Sequence, residues 1–305
     1  MSFTRTPGGL AEKWRFHNIP TIWVEGPTDI FFYEPVCGSL RCRLEAFHGS
    51  ENAEALVKGL VDHDYPYLVV LDGDYGILNP ARSPHRCVIV LARYSFENFL
   101  WEKEPVNQAC LRHAQCGDKK DIVGAEMERI ARHLVDELLH VVALDVAARR
   151  LPSPPEVLPD RIEQLLLHQS RPDIDPAKTA RLIASVEARL DPTVVLEAQE
   201  DVRKFLANRC ITHLLKGHLV FGVLRRVFLQ AAANESGRLR SAVNGLGRNC
   251  QIPNDALTQL LADMVWRRPN SEDHRVLKRK LKSLIRKLIP RYPAAQIPVE
   301  IQVIA

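Results

Sequence analysis

Four short segments constrain this chain more than anything else in it. "PTIWVEG" (20–26), "YPYLVVLDGD" (65–74) and "RCVIVLAR" (86–93) each carry a brief apolar run closed off by turn residues. Runs of that length are too short for a helix and read as strands, and a continuous run such as "YLVVL" reads as one buried on both faces. "RCRLEAF" (41–47) alternates polar and apolar and reads as a strand near a sheet edge. Between them lie two stretches with helical spacing. "PTDIFFYEPVCGSL" has Pro27 at a favourable first-turn position. "SENAEALVKGLVDHD" has Ser50 as an N-cap and places Ala53, Leu56, Val57, Leu60 and Val61 on one face. Strand–helix alternation implies parallel pairing and right-handed crossovers. The expected class is α/β: an N-terminal parallel-sheet domain over 18–104, then a mainly helical region over 105–305.

In such sheets ligands bind beyond the carboxyl ends of the strands. The acids of this region fall there. Glu25 ends the first strand and Asp29 sits in the first turn of the next segment. Asp72 and Asp74 end the third strand, and Glu97 follows the fourth by a few residues, while the apolar runs contain no acid. One such acid alone reads as a solvated loop residue. Several together repel one another and take up protons unless a cation sits among them. Oxygen donors without histidine or cysteine favour a hard ion, Mg²⁺ or Mn²⁺.

The pattern Glu-Gly at a strand end, an Asp three residues after the Gly, and Asp-x-Asp after a later strand resembles the TOPRIM domain. That fold is shared by primases, type IA and type II topoisomerases, and nucleases of the OLD-like group. The matching residues are Glu25-Gly26, Asp29 and Asp72-Gly73-Asp74. "RYSFENFL" (93–100) is similar to a segment of a narrower TOPRIM group. That group includes the nuclease effector of PARIS anti-phage systems, which works beside a separate ABC-type ATPase. "LLKGHLVFGVL" (214–224) is similar to a Lys/Arg-Gly-Lys/His segment in the helical part of those relatives. The resemblance covers residues 18–104 and makes them a TOPRIM-like catalytic domain.

It implies Mg²⁺-dependent cleavage of phosphodiester bonds, in RNA (tRNA among the candidates) or DNA, by a toxic anti-phage effector under the control of an ATPase partner. Glu25, Asp72 and Asp74 would hold a first ion, with Asp29 and Glu97 assisting a second roughly 3.5–4 Å away. Glu25 reads equally as general acid or base. Lys216 reads either as stabilising charge on the phosphate or as a lysine snorkelling from a helix. A haloacid dehalogenase-type phosphatase also opens on an apolar strand and Asp-x-Asp. Here Tyr75 and Gly76 follow the motif, which lies on the third strand, and that chemistry gives Glu25 no task. The non-enzymatic alternative is a TOPRIM-fold protein that only binds nucleic acid or a partner.

Residues 105–305 carry no Gly-x-x-x-x-Gly-Lys-Ser/Thr loop, nor does the rest of the chain, so any P-loop ATPase must be another protein. Long helices are expected over 124–150 and in the segments "RIEQLLLHQS", "PAKTARLIASVEARL", "PTVVLEAQEDVRKFLANRC" and "THLLKGHLVFGVLRRVFLQAAA". "LPSPPEVLPD" (151–160) reads as a hinge. The last helix, 274–291, carries Arg275, Lys278, Arg279, Lys280, Lys282, Arg286, Lys287 and Arg291 against a face of Leu277, Leu281, Leu284, Ile285, Leu288 and Ile289. Such a helix suits a solvated surface or a membrane surface. Nucleic acid is the preferred partner, because the proposed chemistry needs a phosphate backbone nearby.

Net charge is only +4, so the placement of charge matters more than its total. No secretory signal opens the chain and no stretch approaches the roughly 20 apolar residues of a membrane span. The seven cysteines form no C-x-x-C pair, which predicts free thiols and a cytoplasmic protein. Cys110, His113 and Cys116 lack the second half of a zinc site. The sequence leaves a homodimer open.

Overall fold

The computed structural model describes residues 6–38, 40–115, 120–242 and 252–292. It is an α/β fold dominated by helices, with one four-stranded parallel sheet. The chain forms two compact units: residues 1–71, 82–90 and 273–305 in one, and 72–81 and 91–272 in the other. The sequence pattern places the division at 104/105 instead. The first unit gains the last helix, and its sheet is interrupted in sequence by 72–81.

The first unit holds the sheet. Strands β1 (Thr21–Val24), β2 (Arg43–Ala46), β3 (Leu68–Leu71) and β4 (Val88–Val90) pair in the order β2-β1-β3-β4, all parallel. Ile22 pairs with both Leu44 and Leu68, which centres β1. The apolar runs of β1 and β3 are buried as expected, β2 is a half-exposed edge, and β4, the other edge, leaves Val90 exposed. Helix α1 (Pro7–Ala11) is a short N-terminal addition that packs on α3. Helix α2 (Pro27–Cys37) links β1 to β2, and α3 (Ser50–His63) links β2 to β3.

Ser50 does not cap α3. The N-cap is Gly49, at φ +93°, a conformation glycine adopts without strain, and Ser50 is the first helical residue. Helix α3 lies so close to β3 that a Cβ on Gly59 would stand 2.4 Å from the Tyr67 hydroxyl. That hydroxyl donates to the Leu56 carbonyl at 2.8 Å.

The last helix, α10, also belongs to this unit. It spans Glu272–Leu288 rather than 274–291 and continues as a short 3-10 turn, Ile289–Arg291. Leu277, Leu281, Leu284, Ile285 and Leu288 are buried as expected, while Ile289 is 37% exposed because it lies past the end of the helix. Arg291 pairs with Asp64, and the Tyr292 hydroxyl donates to the Pro66 carbonyl.

The second unit is helical: α4 (Lys103–His113), α5 (Gly124–Ala148), α6 (Pro176–Glu187), α7 (Pro192–Leu206), α8 (Gly217–Ala242) and α9 (Asn254–Arg267). Helix α5 is its centre, burying Ile130, Leu134, Leu138, Val141 and Val142 and packing on α6 and α7. Asp175 and Asp191 cap α6 and α7, each accepting a backbone N–H, with Pro176 and Pro192 following at the first helical position.

Two expectations fail here. "RIEQLLLHQS" is no helix: a 3-10 turn at Ile162–Gln164 gives way to irregular chain, with Leu166 bridged to Ile174. Lys178 donates to the Leu166 carbonyl and Arg226 to that of Gln169, so side chains serve groups a helix would satisfy internally. Residues 151–160 are irregular as expected, yet both flanks belong to this same unit, and Val157 and Leu158 are buried. Among the described residues no helix is long and apolar enough to cross a membrane.

Candidate functional site

In the first unit, Glu25 is the residue after β1 and is exposed. Asp29 is 7% exposed in the first turn of α2, and its carboxylate accepts the Glu25 backbone N–H at 3.2 Å. The Asp29 N–H in turn donates to the Gly26 carbonyl at 3.2 Å. Asp29 therefore fixes the turn that presents Glu25. Strands β1 and β3 are parallel neighbours, so Val24 and Leu71 end at the same edge of the sheet. Asp72 is the next residue of the chain after Leu71.

In the second unit, the 72–78 segment is hung on Tyr94. The N–H groups of Gly73 and Asp74 both donate to the Tyr94 carbonyl at 2.9 Å. A Cβ on Gly73 would lie 2.4 Å from the Arg93 carbonyl oxygen, so only glycine fits there. Asp74 has φ +42°, a left-handed conformation that Asp tolerates better than most residues. Loss of solvation raises the Asp74 carboxyl above its ordinary pKa, opposed by a hydrogen bond with Tyr94 and by the charge of Arg149. Below it, the Tyr75 hydroxyl donates to buried Asp145 at 2.6 Å, and the Tyr75 and Tyr94 rings meet edge to face at 5.1 Å.

Next comes the turn Phe96–Leu100. Ser95 and Asn98 form a reciprocal capping box: the Asn98 side-chain oxygen takes the Ser95 N–H at 2.7 Å. The Asn98 amide then donates to the carbonyls of Thr212 and Leu215 at 2.6 and 2.8 Å. The Tyr94 N–H donates to the His213 carbonyl, and Arg209 donates to that of Ala92, each across more than a hundred residues of chain. The two segments singled out in the sequence, 93–100 and 214–224, are thus bound face to face. Glu97, 6% exposed, accepts from the Ser95 hydroxyl at 2.6 Å and lies 3.0 Å from His218 Nδ1.

Lys216 points elsewhere. Its ammonium donates to the Leu158 carbonyl at 2.6 Å and lies 3.8 Å from Asp160. Cys110 is buried, its thiol pKa pushed upward by burial, and it donates to the Phe228 carbonyl at 3.7 Å. Cys116, the other cysteine near His113, lies outside the described residues.

On α10, Arg279, Lys280, Arg286 and Lys287 are exposed, while Lys278 and Lys282 are half-buried. Burial and the neighbouring Lys282 charge hold the Lys278 ammonium below its ordinary pKa.

Carboxylate oxygens are hard donors, and the upward pull on Asp74 is the kind a nearby cation would reverse. Among the described residues, however, no three His, Cys, Asp or Glu side chains are grouped closely enough to hold an ion. Sequence reasoning missed Tyr94, Ser95, Asn98 and His218. Their signal was the joint presence of "RYSFENFL" and "LLKGHLVFGVL", from which only Glu97 and Lys216 were drawn. No protein-family description and no curated protein sequence matches this chain.

Proposed function

We propose that this chain is a Mg²⁺-dependent TOPRIM-type nuclease. The observation that carries the reading is the pair of acids, Glu25 and Asp72, each directly following one of two adjacent parallel strands that contain no charged residue. Burying apolar strands specifies a sheet, and nothing in that task requires an acid at both strand ends. Glu25, Asp72 and Asp74 would hold the ion. When bound, it supplies Lewis-acid stabilisation of charge building on the phosphodiester oxygens. Asp29 holds the turn bearing Glu25, and Tyr94 holds the segment bearing Asp72 and Asp74. The basic face of α10 supplies sequence-independent attraction for the nucleic-acid backbone.

The biological setting we propose is that of a toxic effector in anti-phage defence, with a separate ABC-type ATPase as partner, RNA or DNA as substrate, and the cytoplasm as location. The support is the order and spacing of the motifs. The test is to sequence RNA and DNA ends from cells expressing the wild type and Glu25→Ala. New ends in the wild type alone support the reading, and identical ends in both refute it. The alternative that the sequence leaves open is a TOPRIM-fold protein that only binds nucleic acid or a partner. That protein would leave no new ends in either strain.

A further inference from the structure

The second unit carries a cleft that the nuclease reading does not use. Its volume is about 620 Å³, within the range of small-molecule sites. One wall is a face of α6, where Lys178, Arg181 and Leu182 recur at helical spacing. The other walls come from the irregular 151–160 segment and from the 3-10 turn at Ile162–Gln164 with Leu165 after it. The floor is apolar: Val157, Pro159 and Leu165 are buried, and Leu182 is half-buried. Hydrogen bonds hold these walls before any ligand arrives. Lys216 donates to the Leu158 carbonyl at 2.6 Å, Lys178 to that of Leu166 at 2.6 Å, and the Asp175 N–H to that of Leu165 at 2.8 Å. The last two take carbonyls that a helix through 161–170 would use itself, and so keep the chain open beside α6.

The polar groups sort by wall. Helix α6 brings both cations, Lys178 and Arg181. Among the described residues neither is paired with a carboxylate: Lys178 bonds the Leu166 carbonyl, and the Arg181 Nε–H bonds the Ala177 carbonyl of its own helix at 3.1 Å. An ammonium has three N–H donors and a guanidinium five, so most of this donor capacity is left over. The other walls bring Glu156, which only accepts, and the Gln164 amide, both on exposed residues. Donors for an anion thus stand on one wall and an acceptor on another, above an apolar floor.

We propose that this cleft binds a purine nucleoside monophosphate. The phosphate takes charge-assisted hydrogen bonds from Arg181 and Lys178. The flat base covers the apolar floor, and its N–H groups donate to Glu156 while Gln164 serves the rest of its polar edge. The charges fix the direction of binding, because Glu156 repels the phosphate and favours the base end. A bare anion would leave the floor uncovered, and a wholly apolar ligand would leave both cations unmatched. None of these residues belongs to the metal site, so the cleft stands whether or not the chain is a nuclease.

The test is equilibrium dialysis of the full chain against labelled guanosine and adenosine 5′-monophosphates, with inorganic phosphate as competitor. At least one nucleotide should bind at a single site with Kd below about 1 mM, and phosphate should bind about tenfold more weakly or worse. Arg181→Gln should lower nucleotide affinity about tenfold. Its side chain is exposed and bonded only to its own helix, so the unfolding midpoint should match the wild type. Arg189→Gln removes an exposed arginine outside the cleft and should bind as the wild type does. Glu25→Ala should also bind as the wild type does, whatever it does to cleavage, which keeps this result separate from the metal-site reading. Retention of neither nucleotide, phosphate binding as tightly as the nucleotide, or equal affinities in Arg181→Gln and Arg189→Gln would overturn the proposal.

Discussion

Arg93 and Glu102 form a buried ion pair at 2.8 Å, and Arg93 also donates to the Asn98 carbonyl and stacks over Phe99 at 4.6 Å. Arg93 is 0% exposed and Glu102 8%. Removing one partner of such a pair strands a buried charge, at a cost of about 3–5 kcal/mol. Glu102→Ala should therefore lower the unfolding free energy from urea titration by that amount, whereas the double change Arg93→Met with Glu102→Leu should cost much less. A Glu102→Ala variant as stable as the wild type would mean that the turn 93–100 does not depend on this pair.

Gly217 makes a sharper steric prediction. Gly217→Ala places a methyl where Ser95 and Glu97 already stand, so the start of α8 must move. Overpacking of this kind costs about 1–3 kcal/mol. Thermal unfolding should show the loss, and the His218 side-chain signals should shift in the free protein. Gly222→Ala is no control, since a Cβ there also meets Ile162 at 2.5 Å; Gly76→Ala, with open space around it, is the control.

Asp74 predicts a pH dependence. Its folded pKa is raised above the unfolded value of 3.8, so the folded state binds this proton more tightly than the unfolded state. The linked contribution favours the fold at acid pH and is lost as pH rises from the unfolded value through the raised folded one. Asp74→Asn should accordingly be more stable than the wild type at neutral pH, with the gap closing below about pH 4. Because Asp74 is exposed as a residue, solvent screening moderates the effect. Mg²⁺ should narrow the gap, stabilising the wild type by an amount that grows with ion concentration. Unfolding midpoints across pH, with and without Mg²⁺, check this. A gap that does not change with pH would contradict it.

The basic face of α10 should serve capture rather than chemistry. Changing Lys278, Lys280, Lys282 and Lys287 to Gln leaves the buried leucines and the helix propensity nearly untouched. Affinity for nonspecific RNA or DNA should drop, and its logarithmic salt dependence should flatten by roughly 0.7–0.9 for each phosphate that the helix no longer neutralises. Equal affinities and slopes would assign the helix to another surface.

The sheet was legible because its strands are apolar runs with period and length of their own, and α5, α6, α7 and α10 because their apolar residues keep helical spacing. The 161–170 segment misled for a physical reason. Its leucines have helical spacing, but Lys178 and Arg226 take carbonyls there from outside the segment. Helix α9 drew no assignment, although Leu257, Leu261, Ala262 and Val265 mark its buried side. The acids at strand ends were legible from topology. The Glu97–His218 pairing was not, because side-chain bonds to carbonyls 114 and 117 residues away leave no periodic trace in sequence. Placement of α10 with the sheet was hidden likewise, since the contacts of Arg291 and Tyr292 span more than two hundred residues.

The central claim is that Glu25 belongs to a Mg²⁺-dependent phosphodiester-cleaving site, and one measurement reaches it directly. Purified wild type and Glu25→Ala are incubated with a mixed pool of end-labelled RNA and DNA, in Mg²⁺ and in excess EDTA. Both proteins must first show the same circular dichroism and unfolding midpoint, since Glu25 is exposed and its removal should leave the fold intact. The account predicts cleavage by the wild type in Mg²⁺, none in EDTA, and a loss of at least about a hundredfold in Glu25→Ala, roughly 2.7 kcal/mol of barrier. Cleavage that survives the chelator, or a Glu25→Ala variant that cuts at the wild-type rate, would contradict it.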